Sequence, residues 1–210
     1  MTESDDETVR QLLAEHGRTY AEEAGITLRD KPSPLYRLLV LALLLSARID
    51  AAIAVAAARE LSAAGFRTPE RMAKATWQQR VDALGRGHYR RYDERTSTML
   101  GDGATLLLDR YRGDLRRLRD EADGTADLLD RLQQFPGIGP AGASIFAREA
   151  QGVWPDLAPY VDERTADGAE RCGLPRSADR LAALVPPEDL PRLAAALVRA
   201  MLRDGRDSGG

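Results

Sequence analysis

Phe135-Pro136-Gly137-Ile138-Gly139-Pro140 is the stretch on which the reading of this chain turns. An apolar helical pattern, Thr125 to Gln134, runs into it, and a second, Ala141 to Ala150, leaves it. Two glycines at this spacing let backbone approach backbone with no side chain between them. The N–H groups of Gly137, Gly139 and the first turn of the next helix would then point outward together. A nest of amides at a helix N-terminus suits an anion, and a phosphate above all. The same residues also make an ordinary tight helix–helix turn, because Pro-Gly-x-Gly is common punctuation. Downstream, a Pro-containing loop leads to Asp162.

Away from this turn the chain reads as helices throughout. Ser4 or Asp5 is placed to cap a first helix with Val9, Leu12, Leu13 and Tyr20 on one side. Lys31-Pro32-Ser33-Pro34 stops that pattern. Leu35 to Ser46 is apolar nearly all round, as the central helix of a helical domain should be. Ala51 to Ala63 is a small-residue helix, and Thr68-Pro69-Glu70 and Thr76-Trp77 are helix starts. His88 to Tyr111 reads as one long amphipathic helix, loosened at Gly101-Asp102-Gly103. Asp114 to Glu121, Asp162 to Cys172, Ser177 to Val185 and Pro187 to Arg203 are also helical, and Ser208-Gly209-Gly210 reads as a frayed tail. No stretch alternates with period two and β-branched residues are sparse, so the expected fold class is all-α.

The 210 residues, 43% hydrophobic and 30% charged, fit a globular chain of one large or two small domains. A net charge of -3 does not mark the whole chain as a polyanion binder. Its positive charge is nearly all arginine, however, with Lys31 and Lys74 the only lysines. The planar guanidinium fork suits phosphate, although a GC-rich genome gives the same bias. Cys172 stands alone, which excludes an intramolecular disulfide and a cysteine metal cluster within this chain and makes a cytoplasmic setting the default. The acidic start of the chain has no signal-peptide pattern, and the apolar run Leu38 to Leu45 is too short to span a bilayer.

Few residues could carry chemistry. Asp162, in Tyr160-Val161-Asp162-Glu163-Arg164-Thr165, reads first as a helix N-cap. Near a phosphate nest, a carboxylate could also stabilise a developing positive charge or orient a water. His16 and His88 are too few and too far apart for a metal site. His88-Tyr89-Arg90-Arg91-Tyr92 interleaves arginines with tyrosines. Such a segment either contacts phosphates and stacks on a base or packs its tyrosines inward.

Taken in order, these pieces resemble the helix-hairpin-helix base-excision glycosylases of the endonuclease III superfamily. Leu43-Leu44-Leu45-Ser46-Ala47-Arg48 resembles the family's Leu-Leu-Ser-Ala-Gln segment, and Gly87-His88-Tyr89 its Gly-(apolar)-Tyr loop. Leu132 to Gly139 resembles the Leu-Pro-Gly-Val-Gly hairpin, and Val161-Asp162 the Val-Asp that supplies the catalytic aspartate, with Gly152-Val153-Trp154-Pro155 before it. The likeness covers roughly residues 35 to 175. It implies a six-helix barrel at 34–150, with the hairpin at about 125–150, and a second helical domain built from 1–33 and 151–210. It also implies that Gly137, Gly139 and Ala141 supply phosphate-binding amides and that Asp162 supports an oxocarbenium-like sugar after the nucleotide is flipped out. Arg48 would fill the hole left in the duplex. His88 would lie on the loop that props the partner base, with Arg90 beside it on the DNA.

Three departures qualify the resemblance. Ala141 stands where bifunctional members carry the lyase lysine, so the Schiff-base route lacks its nucleophile. The four-cysteine iron–sulfur motif is missing, so no cluster is expected, and the second domain would be held by Leu181, Leu184, Leu193, Leu197 and Leu202. The resemblance still allows a monovalent cation at the hairpin. Finally, the loop to Asp162 is longer than usual, with Asp156 as the fallback carboxylate. Glu163 and Asp167 replace the family's polar and basic neighbours, and their negative charge would raise a carboxyl pKa.

The expectation is a monofunctional DNA glycosylase without lyase activity, a monomer acting on duplex DNA with a lesion or mismatch and associated with the nucleoid. Its rival is a catalytically silent relative that binds damaged or structured DNA. A lyase using another amine, and a helical protein unrelated to DNA, stay open behind these two.

Overall fold

The computed structural model describes the backbone of residues 3–207 and the side chains of residues 4–202. The expected Ser208-Gly209-Gly210 tail lies outside the described residues. Among the described residues there are thirteen α-helices and no strand. In chain order these are α1 (Glu3–His16), α2 (Tyr20–Glu23), α3 (Pro32–Ser46), α4 (Ala51–Ala63), α5 (Pro69–Lys74), α6 (Trp77–Arg86) and α7 (Asp93–Tyr111). Then follow α8 (Leu115–Asp120), α9 (Gly124–Leu132), α10 (Pro140–Ala150), α11 (Glu163–Arg171), α12 (Ala178–Ala182) and α13 (Leu190–Asp207). None of these helices is long and apolar enough to cross a membrane.

The chain divides into two compact units, residues 20–146 and residues 1–19 together with 147–210. The first unit therefore begins at residue 20, and its side chains explain why. Arg37 Nη2 donates to Gly25 O at 3.1 Å, Arg59 Nε donates to Glu23 O at 2.6 Å, and Arg119 pairs with Asp30 at 3.1 Å. These bonds tie residues 20–31 to α3, α4 and α8. The second boundary, at 146/147, lies within α10.

In the first unit α3 is central, as its all-round apolarity requires. Leu35, Leu38, Leu41 and Leu44 have no exposed surface, and each such burial contributes about 1.5–3 kcal/mol. Local caps set the neighbouring helices. Asp50 accepts from Ala52 N at 2.8 Å at the start of α4, and Thr68 caps α5 with Pro69 at the first helical position. Thr76 and Gln79 form a reciprocal capping box at α6. The expected His88–Tyr111 helix begins only at Asp93, and Gly101 does not loosen it. A Cβ at Gly101 would sit 2.7 Å from Arg80 Nη2. The glycine makes room for the buried Arg80 guanidinium, which donates to the carbonyls of Met72, Ala75 and Ser97.

In the second unit α1, α11 and α13 share a core that includes Val9, Leu12, Ala169, Leu181, Leu193 and Leu197. A Cβ at Gly168 would fall 2.2 Å from Leu197 O, so α11 and α13 approach backbone to backbone there. Leu184 is partly buried, but Leu202 is 44% exposed and does not hold this unit together. It lies off the helical face shared by Leu193, Leu197 and Ala200. Ser4 and Asp5 are inside α1, not caps, because the helix already begins at Glu3. Tyr20 is not on the α1 face either. It opens α2, in the other unit.

Candidate functional site

The hairpin turn runs from the end of α9 to the start of α10. Ile138 N donates to Phe135 O at 3.0 Å and closes it. Gly137 has φ +82, and a Cβ there would meet Met99 Sδ at 2.6 Å and Leu43 Cδ1 at 3.3 Å. Both conformation and space therefore demand glycine. Gly139 differs, with no positive φ and open space where a Cβ would lie. Its carbonyl accepts from Ala143 N at 3.0 Å, which makes it the N-cap of α10. The amides of Gly139, Ala141 and Gly142 are then first-turn donors without intrahelical acceptors, while Pro140 contributes none. Gly137 and Ala141 are exposed and Gly139 is half-buried.

The His88 loop is built by the end of α6. Tyr89 N donates to Leu84 O and His88 N to Gly85 O, each at 3.0 Å, which is the Schellman pattern with His88 left-handed at φ 63. A Cβ at Gly87 would lie 2.5 Å from the Ala57 backbone, so that glycine seats α6 against α4. His88 and Arg90 point outward as exposed residues, while Tyr89 is buried. Thr96 Oγ1 donates to the Tyr89 hydroxyl at 3.4 Å, and burial pushes the Tyr89 phenol up, so it stays neutral. The inward-packing alternative thus describes Tyr89. Tyr92 is half-buried, with the Arg91 guanidinium 5.2 Å over its ring.

A cavity of about 350 Å³ brings three distant stretches of the first unit together. Its lining includes Ser46, Arg48, Tyr92, Arg95, Met99 and Gly137. Among the described residues, no carboxylate lines it. Arg95 and Met99 escaped the sequence reading, although Tyr92, Arg95 and Met99 follow a helical spacing that could have flagged them.

In the second unit, Asp162 caps α11. Its Oδ1 accepts from Thr165 N at 3.1 Å and from Thr165 Oγ1 at 2.6 Å. Its Oδ2 faces Arg148 Nε at 3.8 Å. Arg148 also escaped notice, and its signal was a lone arginine in the small and apolar run of α10. Gln151, 4% exposed, pins the approach to Asp162, because its side-chain amide donates to Arg148 O and Tyr160 O and accepts from Tyr160 N. The expected crowding of Asp162 by Glu163 and Asp167 is relieved. Arg176 binds Glu163, Asp167 and Glu170 at 2.6, 2.8 and 2.6 Å. Asp156 is exposed in a 3₁₀ turn.

No family model matches the chain, and no curated protein matches it. Among solved structures, a non-covalent endonuclease III–DNA complex is similar at 20% identity and TM-score 0.51, over 92% of this chain and 84% of that one. A trapped endonuclease III–DNA covalent intermediate, an estranged-adenine complex, is similar over the same shares at 20% identity and TM-score 0.49. On the first of these likenesses, the chain has an endonuclease III-like helical fold.

Proposed function

We propose that this protein binds duplex DNA through its hairpin and removes a damaged or mispaired base by cleaving the N-glycosidic bond, without Schiff-base chemistry. One observation carries the DNA reading: Gly137 of the hairpin and Arg48, two residues past α3, line one cavity, and the first turn of α10 beside Gly137 carries the exposed Ala141. Backbone amides and arginines of this kind position a phosphate backbone. A protein of similar fold has been seen in complex with DNA. Asp162, held by Thr165 and Arg148, is the carboxylate assigned to support the oxocarbenium-like sugar. Ala141 leaves the hairpin helix without an amine for a covalent route.

A second reading, DNA binding without base release, has its own support. Both Asp162 oxygens already have partners in Thr165 and Arg148. Duplexes carrying a panel of lesions separate the two. Alkali-dependent strand breaks that disappear in Asp162→Asn are the expected result. Tight lesion binding with no breaks from either protein would leave only the second reading. Duplex affinity that does not fall as salt rises would sink both, because phosphate contacts release counterions.

A further inference from the structure

We propose that the cavity beside Gly137 binds a single nucleotide, its base stacked on Tyr92 and Met99 and its phosphate held by Arg48 and Arg95. Size and lining argue for it. About 350 Å³ lies at the small end of ligand pockets and admits one ring system with an attached anion. The charge pattern is the second argument. Arg86, Arg116, Arg119, Arg131 and Arg176 each hold a carboxylate. Arg48 and Arg95 are exposed, and neither guanidinium forms an ion pair or hydrogen bond among the described residues. Two guanidinium forks are therefore available at a cavity that no carboxylate of the described residues lines.

The cavity also has a fixed shape. Tyr89 is 1% exposed and locked to Thr96. Ser46 Oγ donates to Leu43 O at 2.7 Å, which leaves its oxygen lone pairs to accept from a base edge. Gly137 leaves the space that Met99 Sδ borders.

The nucleotide has two sources, a free monophosphate or a nucleotide extruded from a strand. The inference rests on the DNA reading only for the second, and it is independent of Asp162. The test uses the intact protein with 2-aminopurine as probe, first as the free deoxynucleoside monophosphate and then as one unpaired residue in a duplex. Quenching of the free monophosphate reports stacking, a change in emission reports that the unpaired residue has left the duplex stack, and anisotropy separately reports duplex binding. Tyr92→Leu should weaken the quenched complex about 5- to 150-fold, the range for losing one aromatic stack. Arg95→Gln, which removes one of the two phosphate-binding guanidinium groups, should weaken the same complex and lower the salt slope for the duplex by about one. Circular dichroism checks that both variants fold.

Quenching of the free monophosphate that both variants lose supports the proposal with a free nucleotide. An emission change confined to the duplex and lost in both supports it with an extruded one. No emission change in either arm, or one that both variants keep, overturns it. A duplex bound without an emission change would leave the DNA reading standing alone. A quenched monophosphate with no duplex binding would leave the cavity standing alone.

Discussion

Arg148 Nε lies 3.8 Å from Asp162 Oδ2, with the two side chains only 9% and 13% exposed. The arginine comes from α10 and the aspartate caps α11, so the pair joins two helices of one unit at the candidate catalytic carboxylate. A buried pair broken from one side leaves an uncompensated charge. Arg148→Met should therefore destabilise the protein by about 3 kcal/mol, the low end for such pairs, given the long contact. Urea denaturation checks this, and adding Asp162→Asn should recover part of the loss.

Asp162 itself separates a structural from a chemical role. Asparagine caps as well as aspartate, whereas alanine in place of a capping residue costs about 1 kcal/mol. Asp162→Asn should keep the cap and lose base release, with some loss of stability because Arg148 is left unpaired. Asp162→Ala should lose both the cap and the activity. Thermal melts alongside the lesion assay distinguish the two effects.

The two hairpin glycines should respond differently. Gly137→Ala forces a left-handed φ onto alanine and drives a methyl into Met99, at a cost of about 1–3 kcal/mol. Gly139→Ala meets open space at an ordinary φ, and the reduced freedom of the unfolded chain offsets the loss of a glycine N-cap, so it should stay within about 0.5 kcal/mol of the parent. Equal losses in the two variants, read from denaturant midpoints, would contradict this account of the turn.

His88 occupies the left-handed position of a Schellman cap that glycine fills without strain. His88→Gly should raise stability by about 1 kcal/mol, read as a higher melting temperature. Duplex affinity measured on the same variant reads out what the exposed imidazole contributes.

Asp114 governs part of the acid response. It caps α8, and hydrogen bonds from Arg116 hold its carboxyl below its usual pKa. The folded state thus binds this proton less readily than the unfolded chain. The stabilisation is complete above the unfolded carboxylate value and is lost as pH falls through the lower, folded one. Asp114→Asn should lower stability at neutral pH and leave a smaller difference between neutral and acidic pH in urea titrations.

Much of the helical framework was legible in the residues. Ala51–Ala63 follows from composition, Pro69 and Thr76 from capping chemistry, and the buried α3 from a run of leucines, because each is decided within one or two turns of chain. The misreadings arose where distant residues intervened. Gly101 looked like a break until Arg80, twenty-one positions away, was found filling its space. His88 looked helical because nothing local marks a left-handed histidine as a C-cap.

The sequence by itself determined the all-α class, the hairpin turn and Asp162 as a helix cap, since period, turn chemistry and capping are local. Only tertiary structure decided that Gly137 is obligatory and Gly139 is not, and that Arg148 faces Asp162. Tertiary structure also gathered Arg48, Tyr92, Arg95 and Gly137 around one cavity. Those outcomes depend on which side chains long-range packing brings into contact; spacing along the chain can group Tyr92 with Arg95 but does not encode what faces them.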